Sequence, residues 1–250
     1  MTEKIFARPK SLTAKETHYC PGCHHGIIHR LVAEVIDELG IQGQTIGVIP
    51  VGCSALADEY FNIDSQQAAH GRAPAVATGI KRVHPDKVVF TYQGDGDIAA
   101  IGCAEIVHTA LRGERITTIF VNNAIYGMTG GQMAPTTLVG QVTATSLGGK
   151  DITSAGKPLG LSEILATLDG AKYITRVAVN NPKNMVNAKA GIKKAFQVQL
   201  RGEGFAMVEV LSTCPTNWGK TPIQAVKWLE EHMIPQFPLG IYKNVGEEEK

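Results

Sequence analysis

The chain has 250 residues, of which 44% are hydrophobic and 19% charged, a globular composition large enough for one sizeable core. Its formal net charge of +1, with Lys and Arg scattered along the chain, offers no long-range attraction to polyanions, so nucleic acid is not an expected partner. No apolar run approaches the ~20 residues of a spanning helix, and "MTEKIFARPKSLTAKETHYC" lacks a signal peptide's apolar stretch, so the expectation is a cytoplasmic chain with no membrane partner.

In chain order, the first periodic segment is His29–Leu39, where Leu31, Val32, Val35, Ile36 and Leu39 share a helical face and Gly40 marks the stop. Short β-rich apolar runs follow at Thr45–Val51, Lys87–Tyr92, Ile116–Val121, Tyr173–Val179 and Phe205–Leu211, each fitting a strand buried on both faces. Helical patterns lie between them, starting near Pro74 and covering Ile98–Leu111 and Met185–Leu200. Strands alternating with helices predict an α/β fold, a mainly parallel sheet with helices on both faces and ligands at the carboxyl ends of its strands. Gly127–Lys157 is rich in Gly, Ser and Thr without periodicity and reads as a long functional loop. From Pro215 the chain reads as an arm, with a short helix from about Pro222 to Met233 among proline-broken segments.

"VVFTYQGDGDIAAIG" places Gly94-Asp95-Gly96 between a strand and a helix, where backbone N–H groups face an incoming anion. Asp95 and Asp97 would repel a bare diphosphate, whereas Mg²⁺ held by protein and phosphate oxygens removes the conflict. A helix of about 15 residues rises about 22 Å and a strand of about 7 returns about 23 Å, so the chain comes back to Asp95 at Asn122-Asn123. An Asn123 amide oxygen and the Ile125 carbonyl can then join Asp95 as metal ligands. The plainer alternative is a tight turn with Asp95 as a cap. A nicotinamide fingerprint fits worse, because Ala99 occupies the third glycine position.

Five cysteines in a chain without an export signal argue against a disulfide framework. Cys20-Pro-Gly-Cys23 alone fits zinc, a redox pair or an iron-sulfur cluster. Cys53 and Cys214 each follow a strand and fall on the same edge as Asp95, so four thiolates can converge there on Zn²⁺ or a four-iron cluster. Cys103 lies inside a helix and reads as a packing residue. His70-Gly71-Arg72 precedes a helix and can meet a diphosphate or a carboxylate.

The GDG and Asn-pair pattern resembles the thiamine diphosphate-binding motif. "YGMTGGQ", from Tyr126 to Gln132, with "CPGC" and "VGCS", is similar to segments of 2-oxoacid:ferredoxin oxidoreductase beta subunits, and the resemblance runs over nearly the whole chain. It implies a fold of the diphosphate-binding domain type, with residues 1–214 as the thiamine diphosphate- and cluster-binding domain and 215–250 as an arm packing on it or on a partner. It further implies Mg²⁺ on Asp95, Asn123 and the Ile125 carbonyl, and a 4Fe-4S cluster on Cys20, Cys23, Cys53 and Cys214. The cofactor would meet Gly52, Ser54, His70, Gly71, Gly94, Gly96, Asp97, Gly127, Met128 and Thr129. His24 stands where that family usually has Gly.

The activity implied is coenzyme A-dependent oxidative decarboxylation of a 2-oxoacid, branched-chain before 2-oxoglutarate, with electrons passing to ferredoxin. The chain has one GDG core and no ferredoxin-type cysteine run, so the expected partners are an alpha subunit supplying the pyrimidine-binding domain and gamma and ferredoxin-like delta subunits. Two other readings are a non-redox thiamine lyase or synthase, which leaves the convergent cysteines unused, and a zinc-stabilised binding module, which leaves the Asp–Asn pairing unused.

Overall fold

The computed structural model describes residues 7 to 245. It contains seven strands: β1 (Thr45–Ile49), β2 (Asp64–Gln67), β3 (Val88–Gly94), β4 (Thr117–Asn122), β5 (Ala171–Ala178), β6 (Phe205–Leu211) and β7 (Gly240–Asn244). They form one sheet in the order β2-β1-β3-β4-β6-β5-β7. All neighbours run parallel except β7, which is antiparallel to β5.

Strand alternation distributes the apolar side chains to two cores. Val88, Phe90 and Tyr92 of β3 pack with Val32, Ile36, Ile192 and Phe196, on the helices His25–Leu39 and Pro182–Leu200. Val89 belongs to the opposite face, with Ala77, Ile106 and Leu165 from the helices Ala73–Val83, Cys103–Leu111 and Leu161–Ala166. Burial on both faces explains why these strands read as continuous apolar runs. Phe90 and Phe196, with ring centroids 5.7 Å apart, tie sheet to helix, and truncating such a buried ring costs about 3–5 kcal/mol.

Several boundaries differ from the sequence expectation. β1 ends at Ile49 because Pro50 has no N–H for the ladder. The helix expected at Ile98–Leu111 is two pieces, a wide π-helical turn over Gly96–Ile101 and an α-helix from Cys103. The helix expected up to Met233 is α-helical only over Pro222–Trp228 and widens into a π turn at Leu229–Met233. β2 and β7 were not expected: "DSQQ" is polar and exposed throughout, and β7 lies within the stretch read as an arm. Leu229, Met233 and Phe237 from that stretch pack with Ala124, Leu138 and Leu211, sealing one end of the sheet's carboxyl edge. Among the described residues no helix is long and apolar enough to cross a membrane.

The topology creates a crevice. β1 and β3 are neighbours, but their onward connections leave in opposite directions, to β2 and to β4. A ligand crevice forms outside such a switch point. Next along the same edge, β4 and β6 end side by side, Asn122 paired with Leu211. The carboxyl ends of these four strands bring Cys53, Asp95, Asn123 and Cys214 to one edge.

Candidate functional site

A cavity of about 100 Å³ opens at this edge, lined by Gly52, Ser54, His70, Gly94, Asp95, Gly96, Asp97, Asn123, Ile125, Gly127, Met128 and Thr129. Every residue expected to meet cofactor or magnesium lines it except Gly71, which lies just behind. Cys53, His25, Tyr126, Val51 and Val121 complete the wall. A larger cavity of about 590 Å³, between β5, β7 and the helix Pro182–Leu200, has no carboxylate in its lining.

Asp95 is 2% exposed and follows the last residue of β3. Its Oδ1 accepts the Gly96 N–H at 2.9 Å, and its Oδ2 accepts the Ile125 N–H at 3.1 Å and the Thr136 hydroxyl at 2.6 Å. Burial nonetheless pushes its pKa up to about 6, against the lowering effect of these donors. Three hydrogen bonds therefore do not compensate the buried charge, and a cation at this point would. Asn123 is 9% exposed. Its Oδ1 accepts the Ile125 N–H at 3.2 Å, and its carbonyl accepts from Trp218 Nε1 at 3.1 Å. Between Asn123 and Ile125 the backbone turns through Ala124, at φ 58 the one positive value on a non-glycine residue among those described.

Asp97 is occupied differently. Its Oδ1 accepts from His70 Nδ1 at 2.5 Å and from the Gly71 N–H at 2.6 Å, while Oδ2 accepts from Gln93 Nε2 at 2.5 Å. An ionised carboxylate only accepts, so His70 Nδ1 carries the hydrogen in its bond to Asp97. Asp97 thus anchors the His70-Gly71 loop as well as lining the pocket.

Two glycines are required by close approach. A Cβ on Gly96 would lie 2.2 Å from the Tyr126 ring. One on Gly71, where φ is +76°, would lie 2.7 Å from the Gly102 amide.

The cysteines sit beside this cavity. A Cβ on Gly127 would lie 3.3 Å from Cys53 Sγ and 3.5 Å from Cys214 Sγ, so both sulfurs flank one backbone position. The Cys20–Cys23 turn is closed by the Cys23 N–H to the Cys20 carbonyl at 3.0 Å. Thr213 Oγ1 ties it to the end of β6 by donating to the Gly22 carbonyl at 2.6 Å. Tyr19 donates to the Cys53 carbonyl at 3.1 Å, and Asn217 Nδ2 to Cys214 Sγ at 3.3 Å. Burial, opposed by the backbone bond at His25 and helped by the neighbouring cysteines, pushes the Cys23 thiol up to about 12; burial, then Cys214 and Cys20, pushes Cys53 up to about 11. The four thiols therefore lie within electrostatic reach of one another. Among the described residues no three His, Cys, Asp or Glu side chains stand close enough to hold a single metal ion.

The sequence reading missed Thr136, Gln93, Tyr126, Asn217 and Trp218 as supports of this site. The hydroxyl pair in "APTT", inside a loop already marked as functional, is the one signal that pointed to Thr136.

Residues 50–210 match the family model described as thiamine pyrophosphate enzyme, C-terminal TPP binding domain. The fold is thus that of a thiamine diphosphate-binding domain. The chain is 47% identical over 258 residues to ketoisovalerate oxidoreductase subunit VorA of Methanothermobacter marburgensis, covering 99% of this chain and 54% of that protein. It is 38% identical over 237 residues to 2-oxoglutarate synthase subunit KorB of Methanocaldococcus jannaschii, covering 92% and 82%. A solved chain of 2-oxoglutarate:ferredoxin oxidoreductase from Magnetococcus marinus, with 2-oxoglutarate, coenzyme A and succinyl-CoA bound, superposes with a TM-score of 0.79 at 26% identity, covering 96% of this chain and 86% of that one. This chain belongs to the family of 2-oxoacid:ferredoxin oxidoreductase subunits that includes VorA and KorB. It spans about half the length of the VorA proteins, 54% and 53% of the two compared.

Proposed function

We propose that this chain is the beta subunit of a multi-subunit 2-oxoacid:ferredoxin oxidoreductase, acting in coenzyme A-dependent oxidative decarboxylation of a 2-oxoacid. The observation that carries this reading is the buried, incompletely compensated Asp95 carboxylate at the same sheet edge as four thiols. In this reading residues 1–214 are the cofactor domain and 215–250 an arm packed on it, which the pairing of β7 with β5 supports; residues 1–6 and 246–250 lie outside the described residues.

Asp95, the Asn123 amide oxygen and the Ile125 carbonyl would hold Mg²⁺, a hard ion suited to few protein oxygens plus phosphate. The bound thiamine diphosphate supplies a nucleophilic carbon for the keto group and an electron sink for loss of carbon dioxide. The chain's own residues orient and enclose. Thr136 and the Ile125 amide fix the Asp95 carboxylate, and Tyr126 closes over Gly96. Asp97 holds His70 in the cavity wall through the ring Nδ1. Met128 and Thr129 line the cavity mouth.

Cys20, Cys23, Cys53 and Cys214 would hold the 4Fe-4S cluster. A zinc site needs four sulfurs about 2.3 Å from one ion, whereas Cys53 and Cys214, both beside Gly127, would suit a bulkier cysteine-ligated group such as an iron-sulfur cluster. An alpha subunit supplies the pyrimidine-binding domain, and gamma and ferredoxin-like delta subunits carry electrons onward to ferredoxin. Branched-chain 2-oxoacids are preferred over 2-oxoglutarate, in line with the higher identity to a ketoisovalerate oxidoreductase subunit. The test is coenzyme A-dependent ferredoxin reduction by the complex assembled without oxygen. The proposal expects activity that needs both this chain and thiamine diphosphate; decarboxylation without reduction of any one-electron acceptor would overturn it.

A further inference from the structure

The turn that carries Asn123 is held by a buried charged network which the cofactor reading does not use. Glu209 on β6 is 1% exposed and lies opposite Arg176 of β5, also 1% exposed. Arg176 Nε stands 2.8 Å from Glu209 Oε2 as an ion pair, and its terminal nitrogens donate to Glu163 at 2.9 and 2.7 Å. Ser162 donates to the same Glu209 oxygen at 2.5 Å. Phe237 and Tyr242 roof the guanidinium with ring centroids 5.2 and 4.7 Å away. A buried ion pair is rarely kept for stability, since an apolar replacement of equal volume is often as good or better.

The remaining oxygen of Glu209 shows where the network leads. Oε1 accepts from Asn122 Nδ2 at 2.8 Å. That bond fixes which way the fully buried Asn122 amide faces and turns its Oδ1 to the Ala124 N–H at 3.1 Å. Ala124 is the residue at φ 58, and its carbonyl accepts from Thr137 at 2.7 Å and Gln141 at 3.1 Å. The next amide, Ile125, donates to Asp95 Oδ2 and Asn123 Oδ1. One acceptor atom on β6 thus orients a strained turn that presents two of the three magnesium ligands.

We infer that Glu209 is the positioning residue of the metal-binding turn, acting through the Asn122 amide, with Arg176 as its buried counter-ion. This rests on the reading of Asp95, Asn123 and Ile125 as a magnesium site. Outer partners of metal ligands typically change metal affinity by about 10–100-fold when removed, and a residue two steps from the metal is expected at the lower end.

The experiment compares the unaltered chain with two double variants that leave no buried charge alone. Glu209→Gln with Arg176→Met keeps an oxygen for Asn122, while Glu209→Leu with Arg176→Met removes it. Magnesium is titrated in the presence of thiamine diphosphate and read by tryptophan fluorescence, since Trp218 donates to the Asn123 carbonyl. Thermal unfolding is measured in parallel. The inference expects the Gln variant within about threefold of the unaltered chain and the Leu variant about tenfold weaker or more. Equal affinity in both variants, whether retained or lost, would overturn it. As a second measurement, hydrogen exchange on the unaltered cofactor-free chain should find the Ala124 and Ile125 amides already protected. Free exchange there until cofactor binds contradicts a turn set in advance by Glu209, even where neither variant folds. An unaltered chain that binds no magnesium with thiamine diphosphate would instead overturn the site reading, and this inference with it.

Discussion

Asp95→Asn removes a charge that the fold buries at a cost. The Asp95 carboxyl moves from an ordinary 3.8 to about 6 through burial, a difference worth about 3 kcal/mol between the fully protonated and fully ionised limits. The sign follows from proton linkage. Because the folded value is above the unfolded one, the folded state binds more protons between pH 3.8 and about 6, so this group's contribution is lost as pH rises through that window. Roughly half of the 3 kcal/mol falls between pH 5 and 8, which for a chain of this size is about 3–6 °C in Tm. His24 and His25, whose values burial lowers to about 4, act in the opposite direction, destabilising the fold as pH falls below about 6.5. They are common to both proteins, so the difference between variant and parent isolates Asp95. Thermal unfolding with a chelator should therefore show the advantage of Asp95→Asn growing by about 3–6 °C from pH 5 to pH 8. Saturating Mg²⁺ and thiamine diphosphate should reverse the order at pH 8, because ligand at about 100 Kd adds about 2.7 kcal/mol to the protein that binds it. A Tm difference that is flat with pH would refute the picture of an uncompensated buried carboxylate.

Other consequences are open to measurement. Gly96→Ala places a methyl 2.2 Å from the Tyr126 ring and should abolish cofactor binding by calorimetry, with partial recovery when Tyr126→Ala is added. Thr136→Val removes the 2.6 Å bond to Asp95 and should weaken magnesium binding about tenfold or more, in line with loss of a hydrogen bond to a charged group worth about 1.5–3 kcal/mol. Iron content should fall sharply in Cys53→Ser and Cys214→Ser but stay at the parent value in Cys103→Ser, whose side chain lies on the helix Cys103–Leu111. The assembled complex should show a higher kcat/KM for 2-oxoisovalerate than for 2-oxoglutarate; the reverse ranking would move the substrate assignment without touching the cofactor site.

The pairing of Asp95 with Asn123 was legible because strand, helix and strand have fixed rises, so chain length alone returns the Asn pair to the GDG turn. The structure puts both on one edge, with Ile125 donating to both side chains. Strands buried on two faces announced themselves as apolar runs. β2 did not, since "DSQQ" is exposed along its whole length and its place in the sheet comes only from pairing with β1. Thr136 reaches Asp95 from a loop without periodicity, where sequence offers no geometry. Arg176 and Glu209 were hidden for another reason. A charged residue inside a strand pattern reads as a solvent-facing position, and only the register across β5 and β6 makes them partners in the core.

The claim on which the account turns is that a thiamine site and an electron-transfer site share one sheet edge. Iron, zinc and acid-labile sulfide in the chain purified without oxygen test it most directly, with visible spectra before and after dithionite. About four irons and four sulfides per chain with a bleachable visible band is the result expected of a Cys₄-ligated cluster. Stoichiometric zinc, or no metal under conditions shown to permit cluster assembly, would contradict it and leave a thiamine diphosphate fold without its electron-transfer partner.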